Sequence, residues 1–400
     1  MSEFVKLPVE PIINAAGTLT RLSASPMSPD VCAAMAEAAG HCVDIAELQG
    51  VASHVIAEST GAEAGIVTSG ATAGLLLGAA ACMAGFDLSR MSALPQTEGI
   101  PNEFVVARTH RNSYDHGVRA SGARLIEVGF ADRVTEVGSC DTEPWEYAAA
   151  IGPRTAGVFY VARAGSESEL ARVVEVAHHA RVPVLVDAAA ELPPVANLRR
   201  FIALGADLVA FSGGKGIGGP SASGILCGRA DLIGSALLQQ LDLDYRWELW
   251  NPPPHLIDKR KLRGVPRHGI GRACKVGKEQ IVGLLTALKR FVAEGDAQRN
   301  ARLGAVIDAL EAVIPESPGL ACRRAVDEAS VPVLELRIGA TAGISALELA
   351  NRLAEQHPAI YVDAVRAEEG LLLLVPTCLT TLHAAAIGTA LRQILDRSSP

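Results

Sequence analysis

Between about residue 44 and residue 250 the chain alternates short apolar, β-branched runs with longer segments of helical length. Ile66-Val67-Thr68, Phe104-Val105-Val106, Arg124 to Val128, Gly157 to Val161, Val184-Leu185-Val186 and Leu208-Val209-Ala210 predict strands. Between several of them lie amphipathic stretches such as Glu167 to Ala180, which predict helices. That alternation predicts an α/β chain whose mostly parallel sheet carries helices on both faces. Trp247 to Pro254, with three consecutive prolines, breaks the pattern. Beyond it Lys278 to Glu294 reads as a long helix, followed by a strand from Val331 to Ile338, a helix from Ser345 to Gln356, strands near Ile360 and Leu371, and a last helix running to Arg397. The division expected is an N-terminal segment (1–43), a large domain (44–275) and a smaller C-terminal α+β domain (276–400), without internal repeats.

The longest uncharged span, Ala64 to Phe86, is long enough to raise the question of a membrane. It contains Thr68, Ser69, Thr72 and five glycines, and divides into a strand, a turn and a helix, so no membrane partner is expected. Net charge of −8 over 400 residues argues against a nucleic-acid-binding face. The basic run Lys259-Arg260-Lys261, with Arg263, Arg267 and Arg272 beyond it, is a local exception that a solvated or interface segment also explains. The eight cysteines form no C-x-x-C pair or zinc-like spacing, which fits reduced thiols in a cytoplasm. Glu3, Lys6 and Pro8 make the start of the chain unlike a signal peptide.

The stretch AFSGGKGIGGP, residues 210–220, surrounds one lysine with five glycines. Gly214 to Gly219 match G-x-G-x-x-G, but a dinucleotide site needs a helix directly behind the loop, and here Pro220 and a β-like run from Ser221 to Cys227 follow. A Walker A loop needs Ser or Thr after Gly-Lys, and Lys215 is followed by Gly216. A third chemistry is a Schiff-base lysine under pyridoxal phosphate, set on a turn after a strand with small neighbours that leave room for a flat ring. A surface lysine in a flexible loop is the competing explanation, so companions elsewhere must decide.

Ligands of a parallel sheet collect at the carboxyl ends of its strands. Asp187 ends the run Val184-Leu185-Val186 and is placed to hold a pyridine nitrogen protonated, although an Asp there also caps turns. Ser212 ends the next strand, three residues before Lys215. A phosphate belongs at a helix N-terminus, and Ser69, Gly70, Ala71 and Thr72 offer amides and hydroxyls where an uncharged helix begins; ordinary capping by Ser69 is compatible with that. His110, the first ring after the strand Phe104-Val105-Val106, is the favoured residue to cover a cofactor ring, ahead of Tyr114 and His116. No third ligand accompanies His110 and His116, so no metal is expected.

These pieces together resemble the fold-type-I pyridoxal phosphate enzymes related to bacterial selenocysteine synthase (L-seryl-tRNA selenium transferase), and more closely their smaller, ammonia-lyase-like members. The resemblance runs from residue 12 to about 290 through IINAAGT, GAEAGIVTSGATAGLLL, SGARLIEVG, VPVLVDAAAEL, GADLVAFSGGKGIGGPSASGILCGRADLI and RACKVGKE. It implies pyridoxal 5'-phosphate as cofactor, Lys215 as the Schiff-base lysine, Asp187 as the pyridinium partner, Ser69 to Ala71 as part of the phosphate cradle and Ser212 beside the phosphate. Arg272 and Lys275 fall on a basic motif that lies near substrate or phosphate in that family. The synthase carries an extra N-terminal region for tRNA, whereas INAAGT begins here at Ile13 and the following LTRLSASPM departs from the synthase pattern. The expectation is a cytoplasmic homodimer or higher homo-oligomer acting on a small amino acid or amino sugar acid by β-elimination, to a 2-oxo acid and ammonia. Arg272 is the first candidate for the substrate carboxylate and Arg21 the second. Racemisation, aldol cleavage and transamination use the same machinery and stay open; selenium transfer on seryl-tRNA and a non-catalytic binding role are the remaining alternatives.

Overall fold

The computed structural model describes residues 9–130 and 142–397, so Glu3, Lys6 and Pro8 lie outside the described residues. Contacts divide the chain into two compact units, one of residues 27–293 and one of residues 1–26 with 294–400. In chain order the strands are β1 (Ile13–Ala15), β2 (Ala64–Thr68), β3 (Glu103–Ala107), β4 (Arg124–Val128), β5 (Thr155–Val161), β6 (Val184–Asp187), β7 (Leu208–Ser212), β8 (Gly224–Gly228), β9 (Leu320–Val326), β10 (Pro332–Ile338), β11 (Ile360–Val362) and β12 (Leu371–Leu374).

The larger unit is built on a seven-stranded sheet in the order β2-β8-β7-β6-β5-β3-β4. The pairs β4/β3, β3/β5, β5/β6 and β6/β7 are parallel, while β8 runs antiparallel to both β7 and β2. Because side chains alternate across a strand, the apolar runs feed two cores at once. Val184 and Val186 of β6 pack on one face with Val158, Val209 and Phe211, and Leu185 packs on the other with Phe159, Leu208 and Leu226. The helix Ala71–Ala84 covers that second face and is buried nearly all round, which is why its sequence shows no polar stripe. Gly78 lets it approach the sheet, since a Cβ there would stand 2.9 Å from Leu185 Cδ1. At the β2 edge, Gln49 replaces a neighbouring strand: its amide nitrogen donates to Val67 O at 2.8 Å and its carbonyl accepts from Val67 N at 2.9 Å.

The other unit contains the antiparallel sheet β12-β10-β9 and the parallel pair β1-β11. Its core gathers Ile13 and Ala15 from β1 with Leu334, Leu336, Leu349, Ile360, Leu372 and Leu391. The long helix predicted from Lys278 to Glu294 continues to Glu311, with a break at Gly295, whose φ of 63° and ψ of 172° are not helical. The Ser345 hydroxyl accepts from Glu348 N and caps the helix Ala346–Ala354.

Candidate active site

Strand register places the key residues along one edge of the large sheet. Val161 pairs with Asp187 and Asp187 with Ala210, two residues before the end of β7. Ser212, the last residue of β7, pairs with Gly224, and Gly224 pairs with Thr68, the last residue of β2. The turns after β2, β6 and β7 therefore open at the same edge, where a parallel sheet collects its ligands.

Asp187 is buried, and burial holds its carboxyl above the usual carboxylate range; the Ala189 N–H, which donates to Oδ1 at 3.0 Å, and the charge of Lys215 pull it back down. Lys215 is thus near enough for its charge to act on the Asp187 carboxyl. The glycines around Lys215 are required by close approach. A Cβ on Gly216 would stand 2.1 Å from Leu192 O, one on Gly214 2.6 Å from Ser221 Cα, and one on Gly213 2.2 Å from Ser223 Oγ. The turn is tied by Gly213 N to Ser223 O at 2.9 Å, Gly219 N to Gly213 O at 2.8 Å and Gly218 N to Lys215 O at 3.0 Å. Lys215 thus stands on a closed, backbone-defined platform.

Gly70 takes a φ of 111° ahead of the helix Ala71–Ala84, and Thr68 Oγ1 donates to Gly70 O at 2.8 Å. Gly224 passes directly beneath, since a Cβ on it would lie 2.5 Å from Gly70 C and 2.7 Å from Ala71 N. Ser69 makes no side-chain cap; its hydroxyl donates to Cys274 O at 3.0 Å, tethering the segment that carries Arg272 and Lys275 to this turn. The first amides of the helix, with Thr72 beside them, stand at the sheet edge next to Ser212. Arg272 directs its guanidinium to Asp242, with Nη2 at 2.7 Å and Nε at 3.2 Å from Oδ2, and that hydrogen bond holds the Asp242 carboxyl below its usual range. Lys275 is exposed. Arg21 belongs to the other unit, where its guanidinium lies 5.7 Å from the centre of the Tyr361 ring.

His110 is buried in a 3-10 turn directly after β3 and leans over the end of β5, where Val161 N–H donates to its Nδ1 at 3.5 Å. Sequence reading passed over the residues around it. Tyr160 packs on the imidazole, Glu169 faces its Nε2, and Thr68 and Gly224 shape the turn after β2. Glu169 sits in the first turn of an amphipathic helix, where acidic residues are ordinary, so nothing local in the sequence marks it.

A 940 Å³ groove elsewhere on the larger unit is lined by His54, His255, Trp250 and Lys259, with the two imidazoles stacked 4.4 Å apart. Burial and the neighbouring His54 hold His255 below the usual histidine range.

Comparison with known proteins gives this arrangement its relatives. The family model for L-seryl-tRNA selenium transferase (SelA) matches residues 115–247. A 5'-C-glycyluridine monooxygenase-decarboxylase from a Streptomyces species is 33% identical, over 98% of this chain and 92% of that one. The chain belongs to the selenocysteine synthase-like family of pyridoxal phosphate enzymes. Another relative of this selenocysteine synthase-like chain, the D-glucosaminate-6-phosphate ammonia lyase of Salmonella typhimurium, is 29% identical over 99% of this chain and 98% of its own. A solved structure of D-glucosaminate-6-phosphate ammonia-lyase superposes with a TM-score of 0.80 at 28% identity, covering 100% of this chain and 99% of that one. The architecture is fold type I, as the sequence implied, and the resemblance to the family's small-molecule members holds.

The residues present fit the cofactor that the family uses. A buried carboxylate supported by a backbone N–H and a nearby ammonium is suited to a protonated pyridine nitrogen. The bare backbone of Gly213, Gly214 and Gly216 holds one lysine at the sheet edge, and a helix N-terminus with φ-inverted Gly70 stands beside it for an anion.

Proposed function

We propose that this chain is a pyridoxal phosphate-dependent lyase that removes a β-leaving group from a small amino acid or amino sugar acid, yielding a 2-oxo acid and ammonia. The observation that carries the reading is the placement of buried Asp187 at the end of β6 within reach of the charge of Lys215, which a glycine-rich turn holds just after the neighbouring β7. Pyridoxal phosphate, when bound, supplies an aldehyde that captures the substrate amine and a ring that accepts the electron pair of a bond broken at the α-carbon. Asp187 keeps a proton on the pyridine nitrogen. The amides of Gly70 and Ala71, with the hydroxyls of Ser69, Thr72 and Ser212, hold the phosphate, and His110 covers the ring. Lys215 anchors the cofactor and, once released, takes the α-proton as general base. Arg272 is the first candidate to grip the substrate carboxylate, which it reaches by leaving Asp242; Lys275 and Arg21 are the others.

Full-length similarity to an ammonia lyase supports elimination, and the Streptomyces relative gives a specific second reading, oxidative decarboxylation. A screen of D- and L-hydroxy amino acids and amino sugar acids separates them. Release of 2-oxo acid and ammonia without oxygen uptake is expected; oxygen consumption with carbon dioxide release would move the chain to the second reading, and inversion of configuration alone would make it a racemase. Borohydride reduction followed by peptide mapping is expected to place the pyridoxyl group on Lys215, and labelling of another lysine would overturn the site.

The same reading includes a cytoplasmic homo-oligomer. Exposed Val51, Tyr245 and Leu249 around the 940 Å³ groove support a face for a second copy, and the free thiols of the seven cysteines among the described residues support a reducing compartment. Among the described residues no helix is long and apolar enough to cross a membrane. Light scattering on the eluting protein tests the oligomer: a mass of 41.7 kDa, that of one chain, would refute it.

A further inference from the structure

Behind the candidate ring-covering residue lies a buried layer that the proposed reaction leaves unused. Three neighbours fix the His110 imidazole. Val161 N–H donates to Nδ1 at 3.5 Å, Glu169 Oε1 stands 3.7 Å from Nε2, and the Tyr160 ring meets it at 82° with centroids 4.5 Å apart. A neutral imidazole has one nitrogen that donates and one that accepts. Val161 N–H occupies the lone pair of Nδ1, which puts the ring proton on Nε2, facing the Glu169 carboxylate. Glu169 is itself buried, and its second oxygen lies 3.3 Å from Arg163 Nη2. A carboxylate at that depth is stable only with partners; Arg163 provides one, and His110 Nε2 faces it from 3.7 Å.

The anchor is well placed. Val161 pairs with Asp187 across β5 and β6, so the contact at Nδ1 draws the imidazole toward the strand end that carries the acid. With Nδ1 and Nε2 both turned to protein groups, neither ring nitrogen is directed at a ligand.

We propose that Glu169 is a positioning residue: with the Val161 N–H it locks His110 in the Nε2–H tautomer and in one orientation, so that the imidazole covers the cofactor by its face and takes no part in proton transfer. This rests on the pyridoxal phosphate reading and sharpens it, because proton transfer at the α-carbon then falls to Lys215.

The test uses full-length protein labelled with 15N-histidine, both cofactor-free and loaded with pyridoxal phosphate, with the His110 signals assigned by their loss in His110→Phe. The expected spectrum shows an unprotonated Nδ1 and a protonated Nε2 in both forms. Glu169→Ala is expected to give mixed tautomers, a shifted visible band of the bound cofactor and about tenfold lower kcat. Glu169→Gln, whose carbonyl oxygen can still face Nε2–H, is expected to restore the single tautomer and most of kcat even if the alanine variant folds poorly. His110→Phe keeps a flat ring without nitrogens and is expected to stay within about tenfold of wild-type kcat; a loss of 100-fold or more, the scale of a general acid or base, would overturn the proposal. So would an Nδ1–H or doubly protonated His110 in the wild type, or an unchanged spectrum in both Glu169 variants. Those results leave a visible, cofactor-loaded protein, whereas a wild type that takes up no pyridoxal phosphate at all refutes the underlying cofactor reading and the proposal with it.

Discussion

Asp187→Asn is expected to act in opposite directions on the two forms of the protein. In the cofactor-free form the carboxylate is buried with one backbone N–H and the charge of Lys215 for support, and burial dominates, raising its pKa. The folded state therefore holds a proton that the unfolded chain gives up at its ordinary, lower pKa. Stability that this group contributes is present at low pH and lost as pH rises through the raised value. An effective penalty of several kcal/mol attends a buried ion, and its partners return part of it. Asparagine keeps an oxygen for the Ala189 N–H and carries no charge, so the cofactor-free variant should gain on the order of 1–2 kcal/mol near neutrality, or roughly 1–4 °C in Tm. The gain should shrink as pH falls through the raised value, where the wild-type carboxyl takes up its proton as well. In the loaded protein an amide cannot hold the pyridine proton, and turnover should fall on the order of 100-fold or more although cofactor still binds. Thermal melts of cofactor-free wild type and variant at both ends of that pH range, with steady-state rates on loaded protein, are the assay. A variant less stable than wild type, equally so at both pH values, with near-normal turnover, would show Asp187 to be a turn cap and no more.

Gly216→Ala drives a Cβ to 2.1 Å from Leu192 O, so the turn beneath Lys215 must move; a loss of about 1–3 kcal/mol in melts is expected, together with weaker cofactor uptake. Gly218→Ala meets no atom within 4 Å and strains only a φ of 72°, so it should cost about 1 kcal/mol and leave the cofactor band in place. Arg272→Ala should keep the cofactor's colour and raise KM for amino acids by about one to two decades, the worth of a charge-assisted contact of roughly 1.5–3 kcal/mol. Asp242→Asn, which frees that guanidinium, should lower KM; a colourless Arg272 variant rescued by excess pyridoxal phosphate would instead assign Arg272 to the phosphate. Gel-shift assays with tRNA should show no tight, salt-sensitive binding, as a net charge of −8 implies.

What the sequence disclosed followed the range of the interactions involved. Runs such as Val184-Leu185-Val186 mark strands because burial on both faces demands apolar residues in succession, and the observed β6 ends at Asp187. The Gly-Lys turn was legible because close backbone approach excludes every other residue type there. The break at Gly295 fell one residue after the helix expected to end at Glu294, yet its continuation to Glu311 was missed, since a glycine reads as a stop whether or not a second helix follows. Strand order was beyond reach: nothing local says that β8 lies between β2 and β7, or that β9 exists at all on a half-exposed run with Arg323 and Arg324 in it. Glu169 was overlooked for the same reason, its meaning coming from His110, far away in the chain.

Strand β1 sets a clock on biosynthesis. Ile13, Asn14 and Ala15 find their hydrogen-bonding partners in Ile360, Tyr361 and Val362, some 350 residues later. At ribosomal rates of about 5–20 residues per second, that strand waits roughly 20–70 s for its partner to emerge. The whole of residues 27–293 leaves the ribosome in the meantime, free to collapse around its own sheet. The INAAG segment therefore stays without its strand partner on the nascent chain until Ile360 to Val362 emerge, which makes it a natural target for a chaperone.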